Sequence, residues 1–180
     1  GPDRIAVFPG NGDGSFGAAV SVLTGAGSSP HTPVAADLDG DGDTDVLSAS
    51  AGDDRVAWYA NDGSGSFGPQ QIVSAIAGSE PRVAVASDLD ADGDLDVIAV
   101  SSGDGTVVWY ENDGSPGGLG DWAAHTISAT ADGAWQVSAA DVDGDGVFAG
   151  ISSYVSSIGG PPVALLYSRA EGPTVRSTLG

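Results

Sequence analysis

Short apolar segments alternate with turns along the chain, and their spacing favours β-strands. In one stretch, segments rich in Val, Ile, Ala, Trp and Tyr fall at about 33–38, 45–51, 55–60 and 68–76, and Gly, Asp, Asn and Pro separate them. Apolar runs of this length between turn-forming residues are typical of strands. No segment shows a convincing helical period, so the pattern predicts an all-β protein.

The sequence repeats at an interval of 51 residues. Residues 4–8 (RIAVF) align with 55–59 (RVAWY), and the acidic segment 37–45 aligns with 88–96. A third acidic segment starts 53 residues after Asp88, and the extra residues fall in the Gly- and Pro-rich stretch 115–121. Four strands in roughly 50 residues is the repeat length of a β-propeller blade. A β-sandwich would not repeat its sequence so closely.

We therefore predict one repeat domain, residues 1–180, made of propeller-type blades of four antiparallel strands. Its parts are a half blade (3–24), two blades (32–77 and 82–130) and a degenerate blade (134–179). These make fourteen strands, or about three and a half blades, whereas propellers usually close with four to eight. An open end leaves strand edges unpaired. We expect a fragment of a larger propeller chain or a subunit that assembles with other copies; a self-contained open stack is the alternative.

The two segments 37–45 and 88–96 are predicted calcium-binding loops. Asp occupies positions 1, 3, 5, 7 and 9 of each, and Gly42 and Gly93 occupy position 6, where the chain must reverse. Calcium takes six to eight oxygen ligands, which alternate Asp residues in a tight turn can supply. The expected side-chain ligands are Asp37, Asp39, Asp41, Asp45, Asp88, Asp90, Asp92 and Asp96. Asp43 and Asp94 are expected to use their backbone carbonyls, with side chains towards solvent.

Other interpretations of these loops fit less well. A solvated turn does not require five carboxylates in nine residues, which repel one another. An EF-hand needs Glu at position 12, where Ser48 and Ala99 stand, and magnesium prefers fewer carboxylates. The third loop keeps Asp141, Asp143 and Asp145 but has lost the closing carboxylate, because Ala149 occupies position 9. We expect it to bind calcium weakly or to be a vestigial turn.

The charge distribution limits the partners. The chain has 25 acidic and 5 basic residues, a net charge of −20, and 13 of the 25 carboxylates lie in the three acidic segments. Nucleic acids and anionic membranes need a basic surface, so both are excluded as partners, and no apolar run is long enough to span a bilayer. The chain contains no Cys, which excludes disulfides and thiolate sites.

The sequence resembles the FG-GAP/VCBS repeat family, which also forms the calcium-bearing blades of integrin α-subunit propellers. The resemblance rests on Asp-x-Asp-x-Asp-Gly-x-x-Asp in both loops, Val-Ala-Trp-Tyr at 56–59, Asn-Asp-Gly at 61–63, and Phe-Gly at 16–17 and 67–68. It implies a propeller with structural calcium and a secreted, extracellular or cell-surface role in adhesion or glycan binding. The third loop and residues 150–180 depart from the family pattern.

The remaining residues predict no catalytic site. His31 and His125 have no repeated partner, Glu80, Glu111 and Glu171 are isolated in the sequence, and no Gly-x-Ser-x-Gly elbow occurs. Within each of Trp58-Tyr59 and Trp109-Tyr110, one ring should pack against each neighbouring blade, because adjacent strand residues face opposite sides.

Trp122 and Trp135 do not share that register, so they are candidates for exposed stacking on a sugar. We therefore expect a non-enzymatic, calcium-stabilised module for surface adhesion or self-assembly, whose partners are its own copies, glycans or surface proteins. A lectin-like glycan-binding propeller is the first alternative, and a fragment of a polysaccharide-active enzyme is the second.

Overall fold

The computed structural model describes residues 3–76, 78–118, 120–131, 133–140 and 149–154. Its secondary structure consists of twelve strands in these ranges. They are β1 (Asp3–Val7), β2 (Val20–Gly25), β3 (Pro30–Ala36), β4 (Asp45–Ser50), β5 (Arg55–Tyr59), β6 (Gln71–Ala75), β7 (Pro81–Ser87), β8 (Asp96–Ser101), β9 (Thr106–Glu111), β10 (Ala123–Ser128), β11 (Ala134–Ala140) and β12 (Ala149–Tyr154). The predicted all-β class is confirmed.

The strands form two four-stranded antiparallel sheets, each ordered as the chain runs. The first is β3-β4-β5-β6 and the second is β7-β8-β9-β10; β1-β2 and β11-β12 form two-stranded sheets. Sequential antiparallel strands are the arrangement of a propeller blade. We call the two four-stranded sheets blade 1 and blade 2. Most of the expected degenerate blade lies outside the described residues.

Strand bounds differ from the expectation at two places. The strand expected at 68–76 is shorter, because Gly68 through Gln70 belong to the turn before β6. The strand expected at 33–38 begins at Pro30, because β3 pairs with β4 across an irregularity between His31 and Val34. That irregularity includes Thr32, whose φ is +37°.

The aromatic pairs pack in opposite directions, as predicted. Trp58 lies in an apolar cluster with Tyr110 and other residues of both blades, so this cluster joins blade 1 to blade 2. Tyr59 packs with Ile5 and Val22 of the preceding half blade. Each Trp therefore faces the following sheet and each Tyr the preceding one, since Trp109 packs with residues that include Val137 of β11.

Polar contacts reinforce the packing between blades. The Tyr110 hydroxyl donates a hydrogen bond to the Ser74 hydroxyl at 3.0 Å, and this contact is buried between β9 and β6. At the turn between β4 and β5, Asp54 accepts hydrogen bonds from the N–H groups of Gly78 (2.8 Å) and Glu80 (2.9 Å), which lead into blade 2. These two bonds lower the pKa of Asp54.

Trp122 corrects one expectation. Its side chain is 6% exposed and packs in the cluster between the two blades, so it is not available for stacking on a sugar. Gly117 lies beside the indole, whose Nε1 donates to the Gly117 carbonyl at 3.4 Å. A residue outside the repeat register therefore still fills the core.

No membrane-spanning helix occurs within the described residues: none of them forms a helix with the length and apolar character needed to cross a bilayer. The described strands pack against one another through apolar clusters between neighbouring sheets.

Candidate metal centres

The acidic loops lie at the same end of both blades. Loop 37–45 joins β3 to β4, and loop 88–96 joins β7 to β8. Gly42 and Gly93 at position 6 have φ angles of +93° and +102°, which a residue with a side chain rarely adopts. The sharp reversal that the sequence predicted at these positions is therefore present.

Three carboxylates converge in each loop. In the first, one oxygen from each of Asp37, Asp39 and Asp45 lies within 4.8 Å of the others. The equivalent oxygens of Asp88, Asp90 and Asp96 converge in the same way. We call these two groups the acidic triads. Positions 1, 3 and 9 of each loop thus face one centre.

The closing Asp of each triad also holds the loop to its own blade. Asp45 accepts a hydrogen bond from Leu38 N–H on Oδ2 (2.9 Å) and from Asn61 N–H on Oδ1 (2.9 Å). Asp96 accepts the same bonds from Leu89 and Asn112, both at 2.9 Å. A carboxylate oxygen can accept a hydrogen bond and still offer a lone pair to a cation.

The first Asp of the loop leaves one oxygen available. Asp37 accepts the Gly42 N–H on Oδ2 at 3.0 Å. Its Oδ1 is buried and has no hydrogen-bond partner among the described residues. A buried carboxylate oxygen without a donor is unfavourable unless a cation satisfies it. This oxygen and the all-oxygen donor set fit a hard cation such as calcium.

The Asp residues at positions 5 and 7 lie outside the triads. Asp41 and Asp92 each accept the backbone N–H of the residue two positions on, at 2.9 and 3.0 Å. Asp43 and Asp94 are half-buried rather than directed to solvent. Their carboxylates lie against Gly63 and Gly114, where an added Cβ would stand 2.5 and 2.8 Å from Oδ2. The side chain at position 7 therefore packs on the last turn of its own blade, which joins β5 to β6 in blade 1 and β9 to β10 in blade 2.

Burial and mutual repulsion disfavour the charged form of several triad carboxylates. The pKa of Asp96 is raised to about 6, mainly by burial and further by the charge of Asp90. The pKa values of Asp39 and Asp45 are also raised, mainly by burial and further by neighbouring Asp charges. Two like charges about 4 Å apart repel by roughly 4 kcal/mol at an effective dielectric constant near 20. A cation between them would remove this repulsion.

The third acidic loop, with Asp141, Asp143 and Asp145, lies outside the described residues. Its weaker metal site stays a prediction from the sequence.

A second polar group lies at the opposite end of the blades, and the sequence had not indicated it. Arg82 donates to Glu80 Oε2 (3.0 Å) and to Ser102 Oγ (2.9 Å), and its NH1 lies 3.5 Å from His31 Nε2. Its guanidinium also lies over the indole of Trp135, 5.2 Å from the ring centroid. The signal was present in the repeat, because His31, Arg82 and Trp135 occupy the same repeat position at intervals of 51 and 53 residues.

The other histidine has a separate environment. His125 Nε2 lies 2.7 Å from Glu111 Oε2, and its ring stacks on Trp109 with centroids 4.5 Å apart. Glu80 and Glu111 are isolated in the sequence, yet each has a basic partner in the fold.

Comparison with known proteins agrees with this architecture. A family model described as an FG-GAP-like repeat matches residues 1–48, 37–99 and 88–148. None of the curated protein sequences matches the chain.

One solved structure with this fold is a lectin from Agrocybe aegerita. It is described as recognising non-reducing terminal N-acetylglucosamine, is 25% identical, and superposes with a TM-score of 0.57 over 91% of this chain. This chain spans 46% of the lectin's length.

Proposed function

The chain belongs to the FG-GAP-like repeat family, and from this premise we propose that it is a calcium-stabilised extracellular β-propeller module for surface adhesion or self-assembly. The observation that carries the proposal is the pair of acidic triads at equivalent positions of two blades. Calcium is structural in this proposal, and the module is non-catalytic.

The triads would hold the ion through Asp37, Asp39 and Asp45 in blade 1, and Asp88, Asp90 and Asp96 in blade 2. Asp41 and Asp92 would complete the side-chain set, and Asp43 and Asp94 would add backbone carbonyls. When bound, calcium supplies a divalent charge that neutralises the converging carboxylates. The closing Asp also accepts a hydrogen bond from Asn61 or Asn112, at the start of the β5–β6 or β9–β10 turn. Calcium that holds the triad in place would therefore hold that turn as well.

Extracellular location follows from the affinity expected of such sites. Extracellular calcium modules bind with dissociation constants of roughly 10⁻⁴–10⁻³ M. Such sites fill only where calcium is abundant, which is outside the cell. A module of this kind would be folded and stable after secretion.

Melting curves with and without metal test the proposal. At a calcium concentration 100 times Kd, each site adds about 2.7 kcal/mol. Two sites in a chain of this size would raise the melting temperature by roughly 10–20 °C. The direct measurement is differential scanning calorimetry in chelator and in about 10 mM calcium, which is 100 times a Kd of about 10⁻⁴ M, with metal analysis expected to give two ions per chain.

Two double variants distinguish the loss of calcium binding from the loss of negative charge. Asp39→Asn with Asp90→Asn removes one carboxylate from each triad and should abolish most of the calcium-dependent rise. Asp43→Asn with Asp94→Asn removes the same amount of charge outside the triads, and this variant should retain the calcium-dependent rise in melting temperature. Equal melting temperatures of the wild type in chelator and in calcium would overturn the proposal.

Assembly is supported by an exposed aromatic at a blade-facing position. Phe8 stands one repeat before Tyr59 and two before Tyr110; it is 57% exposed, whereas they are 0% and 5% exposed. Tyr59 and Tyr110 are covered by the preceding sheet, so the face that carries Phe8 is suited to another blade. That blade would come from a second copy or from the remainder of a longer chain.

Light scattering tests the assembly. We expect multimers of the wild type that dissociate on Phe8→Asp substitution, while Phe16→Asp, an exposed aromatic in a turn, leaves them intact. A wild-type protein that is monomeric at high concentration would exclude self-assembly of this chain.

Glycan binding is the second candidate function, favoured by the similarity to the Agrocybe aegerita lectin. A glycan array probed in calcium, with binding repeated in chelator, tests it. Absence of binding to any immobilised glycan would exclude this candidate and leave the structural role of calcium untouched.

A further inference from the structure

Three side chains form a row across successive sheets at the end opposite the acidic loops. His31, Arg82 and Trp135 are the second residues of β3, β7 and β11. These strands run towards the acidic loops, so their first residues lie at the other end. Since the three positions are equivalent in the repeat, their side chains occur at the same height on neighbouring sheets. We call this group the His-Arg-Trp row.

Backbone irregularities direct two of these side chains. β7 pairs Pro81 with Ser101 and Val83 with Val100, so Arg82 is an extra residue in the register. β11 pairs Ala134 with Tyr154 and Gln136 with Ser153, so Trp135 is the extra residue there. A β-bulge re-aims a side chain, and bulges are over-represented beside binding and active sites. The bulge occurs at the same position of two repeats, although the bulged residue is Arg82 in one and Trp135 in the other. What the two repeats share is therefore the direction of the side chain rather than one packing contact.

The contacts of Arg82 connect the row. Its guanidinium covers part of the Trp135 indole at 5.2 Å, and its NH1 lies 3.5 Å from His31 Nε2. Two of its N–H groups donate to Glu80 Oε2 at 3.0 Å and to Ser102 Oγ at 2.9 Å. Four of five N–H groups on a guanidinium lie on its two terminal nitrogens, so two acceptors leave donors free. The row therefore has a fixed planar donor group beside an aromatic ring.

The exposure of Trp135 distinguishes it from the other tryptophans. Trp58, Trp109 and Trp122 are buried, whereas Trp135 is 56% exposed although Arg82 lies over it. The indole of Trp135 is positioned by the Arg82 guanidinium, and its exposed part can stack on a ligand. The guanidinium of Arg82 that lies over this indole also binds the half-exposed Glu80 carboxylate, so the ring and the carboxylate share one neighbour.

We propose that the His-Arg-Trp row is a binding site for a neutral sugar ring, which stacks on Trp135 and hydrogen-bonds to Arg82, His31 and Glu80. The site rests on the candidate glycan-binding function proposed above. Pyranose rings present an apolar C–H face and neighbouring hydroxyls that both donate and accept. The row offers an aromatic face, guanidinium donors and a carboxylate acceptor within one group.

Charge favours a neutral sugar over an acidic one. Arg82 is already paired with Glu80, and the net charge of the chain is −20. A second carboxylate on the ligand would meet this negative field without an unpaired cation to receive it. Uronic and sialic acids are therefore expected to bind more weakly than neutral sugars.

Tryptophan fluorescence and saturation-transfer NMR test the site with soluble sugars. The probes are N-acetylglucosamine, its trimer, methyl galactoside, methyl mannoside and glucuronic acid, added to calcium-loaded protein. We expect at least one neutral probe to bind, and Trp135→Ala to weaken it about tenfold or more, as truncation of an aromatic anchor does. Arg82→Met should also weaken it, because it keeps the stem and removes the donors.

Phe16→Ala is the matched control, because Phe16 is 71% exposed and belongs to the turn between β1 and β2. It should leave sugar binding unchanged, and melting curves of all three variants verify folding. If the wild type binds no probe and no arrayed glycan, the glycan-binding function is wrong. If it binds and Trp135→Ala binds equally well, that function stands and the assignment of this site is wrong. Tighter binding of glucuronic acid than of any neutral probe would overturn the preference for neutral sugars.

Discussion

Asn112 of blade 2 donates its side-chain amide to the carbonyl oxygen of Leu38 in the acidic loop of blade 1, at 3.0 Å. The same amide donates to Leu95 of its own loop at 3.1 Å, and its backbone N–H donates to Asp96 at 2.9 Å. One buried side chain thus joins the two acidic loops. The loops are consequently part of the contact between blades as well as turns within them.

Asn112→Ala should destabilise the protein more than the equivalent substitution in blade 1. The change leaves the buried Leu38 carbonyl and the partly buried Leu95 carbonyl without this donor, which costs about 1–3 kcal/mol. Asn61→Ala is the matched control, since the Asn61 side-chain amide donates to the exposed Thr44 carbonyl and accepts from the Gly65 N–H, both within its own blade. Urea unfolding in calcium measures both, and equal losses would contradict a role for Asn112 between blades.

Gly63→Ala should be more destabilising than Gly65→Ala in the same turn. Both glycines have positive φ, +75° and +83°, so both substitutions strain the backbone by about 1 kcal/mol. Only at Gly63 does the added Cβ meet an atom, Asp43 Oδ2 at 2.5 Å. The collision should add about 1–3 kcal/mol. Equal unfolding free energies for the two variants would show that the Asp43 carboxylate moves aside freely.

Acidification should stabilise the metal-free protein and weaken the effect of calcium. The pKa of Asp96 is about 6 in the fold and about 4 in an unfolded chain, so between these values the folded state binds more protons. Stability of the metal-free protein therefore rises as the pH falls from about 6 to 4. Calcium needs the ionised carboxylates, so its stabilising effect should shrink over the same range.

Melting temperatures in chelator and in calcium, at pH 5 and pH 7, measure this dependence. Asp96→Asn should reduce the pH effect in chelator. Asp62→Asn should retain it, because Asp62 is an exposed turn residue whose pKa is lowered by hydrogen bonds from Ser64 and Ser66. A metal-free wild type that melts at a lower temperature at pH 5 than at pH 7 would contradict the prediction.

Trp58→Ala should remove much of the contact between the blades. The indole is 1% exposed and lies among residues of both sheets, so truncation should cost about 3–5 kcal/mol. Trp135→Ala truncates the same side chain at an exposed position and should change the unfolding free energy by about 0.5 kcal/mol or less. Comparable losses would mean that Trp135 is a core residue of the assembled protein.

Residues that recur at one repeat position were the most predictable. The four strands of blade 1, the reversal at Gly42 and Gly93, and the opposite directions of Trp58 and Tyr59 all follow from local pattern and the 51-residue interval. Position 6 needs positive φ, and neighbouring strand residues must face opposite sides, whatever surrounds them. These are local requirements, so the sequence alone expresses them.

Side chains that contact residues far along the chain were harder to place. Trp122 was expected at the surface, but its indole packs in the core between the blades. The side chains of Asp43 and Asp94 were expected in solvent, but each packs on the glycine twenty positions later in its blade, at Gly63 and Gly114. Neither contact is encoded in local spacing, since both depend on how distant turns meet.

The sequence by itself determined the repeat, the all-β class and the Asp residues that can converge on a cation. Only the tertiary structure decided which of them converge, because a triad requires the loop to close against the turn that carries Asn61 or Asn112. It also brought His31, Arg82 and Trp135 into one row, although more than fifty residues separate each from the next. Stacking successive repeats converts equal positions in sequence into neighbours in space, so the shared repeat position of these three different residues gained a meaning only once the blades were assembled.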